Sequence, residues 1–249
     1  MKIVLTPDWF LGSDVLIESF SFIILILFFY FSVKSYKLSK NKKSLYLGIG
    51  FLLIAIAEIA TILTKFVLYY DTTFTHSIGT MIVTYQIVKS VNIFYYIGFS
   101  FHRLLTLLGL YIIYRLPMKK KTFGDIVLAL CFIVISAFFS NFFYYIFHIT
   151  ALVLLILIIN NYFVIYKNNK AENTKILIIA FSILALSQIN FILSKVGGLY
   201  VVGQLLQLVS YIILLFLIIR IFKHGGKKKK QDRYNIRYVG DYKRKRRKN

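Results

Sequence analysis

Apolar runs longer than about 18 residues recur from one end of this chain to the other, and no other feature constrains its fold so tightly. The first is "VLIESFSFIILILFFYFSV" and the last is "LYVVGQLLQLVSYIILLFLII". A helix of a soluble domain carries one apolar stripe and one polar face, whereas these runs are apolar all round. With 59% apolar residues among 249 and a mean hydropathy of +0.73, too little polar surface remains to clothe a soluble domain. The chain reads as an all-α, multi-pass protein of the cell membrane.

A helix needs about 20 residues to cross the hydrocarbon core. Candidate spans are Val15–Val33, Ser44–Tyr69, Val88–Tyr114, Phe123–Ser140, Phe142–Tyr166, Ile176–Leu193 and Leu199–Phe222. Residues 125–166 lack proline and glycine, yet one helix over that stretch would run roughly 60 Å, twice the membrane. The polar break Ser140-Asn141, followed by "FFYYIF", predicts a tight hairpin at an interface.

Charge supports the same count. Lys34 to Lys43, Arg115 to Lys121 and Lys167 to Lys175 make three basic connections, while the alternating connections hold almost no Lys or Arg. The positive-inside rule places the basic loops in the cytoplasm. Two such loops on one side require an even number of crossings between them. The expectation is a seven-transmembrane-helix bundle over 15–222, N-terminus outside and C-terminus cytoplasmic. An outer interfacial segment (1–14) precedes it and a disordered basic tail (223–249) follows. "MKIVLTPDWFLGSD" lacks the apolar core of a signal peptide, and Trp9 and Phe10 suit the outer interface. Residues 71–87 form the longest outer connection, part of which extends the third helix. No internal repeat stands out, so symmetry lends nothing to an inverted-repeat transporter.

Charged groups inside spans cost several kcal/mol unless paired or hydrated, which makes them functional candidates. Glu58 lies roughly 21 Å above Ser44, with Arg103 roughly 16 Å and His102 roughly 18 Å above Tyr114 on the antiparallel third span. An intramembrane contact of Glu58 with His102 or Arg103 is therefore expected. The competing reading has Arg103 snorkelling to headgroups and Glu58 protonated in a polar seam. Lys65 and Lys89 lie near outer helix ends, and Glu58, Thr61 and Lys65 share one helical stripe. Glu18, Lys65, Lys89, Asn92, Gln188, Asn190, Gln204 and Gln207 outline a candidate outer-half polar pocket. The plain alternative is interhelical hydrogen bonding at about 0.6 kcal/mol per contact.

Several chemistries find no residues. The last span carries no lysine for a retinal Schiff base, and neither the third nor the last span closes on a G-protein-coupled receptor motif. The four histidines and the single Cys131 fall in separate segments, so no metal or cofactor is expected. No nucleotide loop, nucleophile elbow or intramembrane aspartate pair is present, which argues against an enzyme.

The tail from Lys223 holds thirteen Lys/Arg against two Asp. Lys227, Lys228, Lys229, Lys230, Arg233 and Arg237 form its first block, and Lys243, Arg244, Lys245, Arg246, Arg247 and Lys248 its second. Each basic group near an anionic leaflet contributes about 1 kcal/mol of attraction. Membrane lipids with anionic headgroups are the expected partners, with a soluble cytoplasmic partner docking on "RYNIRYV" as the alternative. A charge run is too unspecific to argue for nucleic acid.

The segments "LTPDWF", "LYYDTT", "YIIYRLP" and "QDRYNIRYV" resemble uncharacterised seven-span membrane proteins of archaeal type. The resemblance implies the span count and no activity. The leading expectation is a non-enzymatic, sensor- or receptor-like module. The alternatives are a small-solute or proton transporter using Glu58, and a structural or assembly protein whose polar residues only pack.

Overall fold

The computed structural model describes residues 7–10, 12–74, 81–117, 123–194 and 198–221. Among these residues a 3-10 turn at Asp8–Phe10 precedes seven α-helices. They are α1 (Ser13–Ser39), α2 (Lys42–Phe74), α3 (Met81–Arg115), α4 (Phe123–Phe139), α5 (Tyr145–Asn169), α6 (Glu172–Ile192) and α7 (Leu199–Ile221). Six are long and apolar enough to cross a membrane, and the 17-residue α4 is the shorter exception. The protein is thus all-α and built for a membrane.

The helices bury small and polar residues alongside an apolar core and turn many large apolar side chains outward as well, which a soluble bundle does not. Ser21, Ser32, Ser187 and Ser210 are buried, while Leu16, Ile23, Leu128, Phe132, Val153 and Ile156 face out. Small residues bring backbones together where the apolar effect supplies no attraction between helices. Gly50 of α2 and Gly109 of α3 show this most directly: a Cβ on Gly109 would lie 2.6 Å from the Gly50 carbonyl oxygen.

Two side-chain contacts fix the directions. Near the lower ends of α3 and α5, Asn161 Nδ2 donates to the Tyr114 carbonyl (3.3 Å), so these helices run parallel. The intervening α4 packs against both and runs back. It ends at Phe139, and the Ser136 and Thr150 hydroxyls share a hydrogen bond across the turn (2.8 Å), which closes the hairpin expected at Ser140-Asn141. The connection expected over 71–87 is mostly helical, because α2 continues to Phe74 and α3 already begins at Met81. At 33 and 35 residues, α2 and α3 each reach about 50 Å.

One expectation needs correction: the chain does contain an internal repeat. α1–α2 and α5–α6 correspond at a constant spacing of 130 residues, without a gap. Leu25-Ile26-Leu27 recurs as Leu155-Ile156-Leu157, Tyr36-Lys37 as Tyr166-Lys167, and Phe51, Ala55 and Ile62-Leu63 as Phe181, Ala185 and Ile192-Leu193. Both hairpins turn identically. Lys40 (φ 55°) and Lys170 (φ 45°) are left-handed, and each donates its N–H to the carbonyl of Tyr36 or Tyr166 at 2.7 Å. Burial repeats as well. Phe51, Ile54, Ala57, Glu58, Thr61 and Thr64 are buried on α2, as are Phe181, Leu184, Ser187, Gln188 and Phe191 on α6 and Ser194 just past its end. Identities come easily between two apolar helices, and only the matching burial and the matching turn separate this repeat from composition.

The third helix of each unit seats in the same manner. Gly50 meets Gly109, and its counterpart Ala180 accepts a hydrogen bond from Ser210 Oγ of α7 (2.8 Å). Two parallel three-helix units, α1–α3 and α5–α7, are therefore joined through α4. Their interface contains Phe51 stacked on Phe181, with ring centroids 6.4 Å apart and planes within 4°. A residue that touches its own counterpart lies on the approximate two-fold axis between the units.

Candidate functional site

A cavity of about 470 Å³ lies between the two units. Its lining repeats the 130-residue spacing: Glu18 and His148, Phe51 and Phe181, Ile54 and Leu184, Glu58 and Gln188, and Thr61 and Phe191 all face it. Tyr96 and Phe142, 47% and 81% exposed, stand at its rim, so it reaches the surface between α3 and the α4–α5 turn.

One cluster holds the end nearest the start of α1. Lys65 on α2 donates to Asp14 Oδ2 (2.7 Å) and to Glu18 Oε1, both on α1, and to the Tyr200 hydroxyl on α7 (3.3 Å). All three charged side chains are buried. Asp14 and Glu18 are one helical turn apart, so a single ammonium group meets both carboxylates. Gln204 Nε2 adds a bond to Tyr200 Oη at 3.1 Å. Two buried acceptors in this cluster, Glu18 Oε2 and Gln204 Oε1, have no donor among the described residues.

Glu58 sits about two helical turns below Lys65. Its Oε1 accepts from Gln207 Nε2 (3.2 Å) and from the Tyr211 hydroxyl (3.4 Å), both on α7. The expected contact with α3 does not form. Arg103 instead donates to Asn141 Oδ1 in the α4–α5 turn (2.8 Å) and lies over the Phe99 ring, while Asn141 Nδ2 donates to Ser100 Oγ (2.8 Å). His102 Nδ1 donates to the Ala57 carbonyl at 3.1 Å. The depth estimate was thus sound, since Ala57 and His102 are level, but the azimuth was not. Neighbouring residues on a helix point about 100° apart, so when Ala57 faces α3, Glu58 faces α7. Glu58 shares the cavity with His102 and Arg103 without a hydrogen bond or ion pair to either.

Of the expected polar pocket, Glu18, Lys65, Gln188, Gln204 and Gln207 line the cavity. Gln188 Oε1 accepts from His148 Nδ1 (2.9 Å). Asn190 is not part of it, because its amide turns back onto the Leu186 carbonyl (2.9 Å) on an outward face. The side chains of Lys89 and Asn92 and the whole basic tail from Lys227 to Lys248 lie outside the described residues. Sequence reasoning missed Asp14, Asn141, His148 and Tyr200. Asp14 carried a usable signal, its spacing one turn before Glu18. Asn141 carried none, because its role depends on the hairpin reaching the level of Ser100.

Aromatic rings form the remaining wall. His148 packs on Phe191 (5.1 Å between centroids) and Phe191 on Tyr200 (5.7 Å), while His102 meets Phe147 edge-on (5.8 Å). Flat apolar faces next to carboxylates and amides suit a small solute with both a ring-like surface and hydrogen-bond donors. Comparison with protein families, with curated proteins and with solved structures finds no match to this chain.

Proposed function

We propose that this is a seven-span membrane protein of receptor-like layout that binds a small, donor-bearing solute in the cavity between its two three-helix units. Its N-terminus lies outside and its C-terminus in the cytoplasm. The short α4 counts as a crossing in this reading, since its 17 residues extend about 25 Å and the positive-inside rule needs an even number of spans between the basic loops. The basic tail then meets anionic headgroups or a soluble partner on the inner face.

The observation that carries the reading is the pair of buried acceptors without donors, Glu18 Oε2 and Gln204 Oε1, beside a cavity large enough for an organic molecule. Buried polar atoms without partners cost about 1–3 kcal/mol each, and a solute with donor groups relieves that cost if the cluster opens to meet it. A bundle whose polar residues only pack gains nothing from buried acceptors that its own side chains leave without donors.

The test is thermal unfolding of the full chain in mild detergent against benzylammonium, benzyl alcohol, sorbitol and benzoate. At least one donor-bearing probe should raise the unfolding temperature in a saturable way, as ligand binding to the folded state requires. Glu58→Gln or Gln204→Leu should weaken that response. No saturable shift with any of the four overturns the reading and leaves a scaffold.

A further inference from the structure

We infer that the cavity is a carrier site, opened alternately to the two faces of the membrane by rocking of the α1–α3 unit against the α5–α7 unit. The inference rests on the solute-binding reading above and adds movement to it.

The repeat supplies the first step. A receptor needs one pocket and one opening, and nothing about it calls for two like units. A chain made of two parallel units with the binding site between them has another property. Each unit can move as one rigid body about that site, so rocking one against the other closes one end of the interface as it opens the other. Here the site is built from both units in matched positions, and five lining pairs keep the 130-residue spacing.

The second step concerns the pivot. Phe51 and Phe181 are both buried and stack on the axis. They lie below the cavity's polar cluster, Phe51 being about four helical turns from Lys65 along α2. Two flat rings can slide and tilt without losing contact, as offset aromatic pairs tolerate a range of geometries. The polar links between units lie higher up: Gln207 and Tyr211 on Glu58, and Tyr200 on Lys65. Several are long, at 3.2 to 3.4 Å, and so are suited to exchange.

The third step is what divergence has preserved. Glu18 and Glu58 have the uncharged counterparts His148 and Gln188, so among the described residues lining the cavity the charge is concentrated in one unit while the apolar framework stays matched. A solute held by the charged unit moves with it when the units rock, which couples binding to the direction of opening. Unbroken helices are no obstacle, because parallel units rock as rigid bodies and need no discontinuity.

The experiment uses sided membrane vesicles and the full chain with Cys131 replaced by Ala. A single cysteine is placed in the cavity as Thr61→Cys, and in a separate chain as Ser194→Cys, one in each unit. Both are reacted with a charged, membrane-impermeant methanethiosulfonate, from the outer face in right-side-out vesicles and from the inner face in inverted ones. A carrier should react from both faces, with rates within about a hundredfold, the spread expected when the minor state is about 1% populated. Reaction of both cysteines from one face only overturns the inference. A saturable thermal shift retained in the same chains shows that they are folded and that solute binding survives, so that result leaves a one-sided receptor.

Discussion

Lys65 is the residue on which the buried electrostatics turn. It pairs with Asp14 and Glu18 inside the bundle, so removing the ammonium leaves two buried carboxylates without their cation. Breaking a buried pair from one side costs about 3–5 kcal/mol, against about 0.6 kcal/mol for a typical interhelical hydrogen bond. Lys65→Met should therefore lower stability in detergent by several kcal/mol, read as the fraction folded in a denaturing-detergent titration, whereas Lys65→Arg should recover much of it. Glu58→Gln should cost under about 1 kcal/mol, because the amide oxygen can still accept from Gln207 and Tyr211. The same geometry separates two double-mutant cycles. Glu58→Gln with Arg103→Leu should be additive, since the two side chains have different partners, while Arg103→Leu with Asn141→Ala should be clearly non-additive across their 2.8 Å bond. Additivity in the second pair would remove Asn141 as the partner of Arg103. The sequence alone supports the opposite pairing, because depth along a helix can be counted from its ends but the angle around it depends on which neighbour it packs against.

At the scale of elements, helix existence was readable and helix packing was not. Every expected span is a helix, and the α4–α5 hairpin turns where two polar residues interrupt the apolar run. The ends shifted outward at 71–87 because helical hydrogen bonding continues where the apolar run stops, and hydropathy reports lipid exposure rather than backbone conformation. The α2–α3 contact depends on two glycines that the sequence offers no reason to pair. Gly50 and Gly109 approach so closely that a methyl on Gly109 would lie 2.6 Å from a carbonyl oxygen and 2.7 Å from Ile54. Backbone cannot yield as a side chain can, so Gly109→Ala should cost about 1–3 kcal/mol. Gly124→Ala on α4 has nothing within 4 Å and should be neutral or slightly stabilising through helix propensity. Equal melting temperatures for the two variants would show that α2 and α3 do not meet at Gly50.

For the whole molecule, the duplication changes how the cavity is understood. Seven helices could surround a pocket in many ways, but two matched units joined by a linker helix place it at their interface. The repeat stayed hidden in the sequence because both copies draw on Ile, Leu, Phe and Ala, so identity at a fixed spacing is weak by itself. The contact between Phe51 and Phe181 converts that identity into geometry. Each ring is about 1% exposed and fills the same position in its own unit, so Phe51→Ala and Phe181→Ala should destabilise by similar amounts, about 3–5 kcal/mol each. Because each ring is also the other's neighbour, the second deletion removes contacts already lost, and the double variant should cost less than the two single losses together. Equilibrium unfolding of the three variants in one detergent measures both features. Similar single costs with strict additivity would mean that the rings stabilise their own units without touching. Clearly unequal single costs would mean that the units are not equivalent at this level, and the axis would have to be sought elsewhere in the interface.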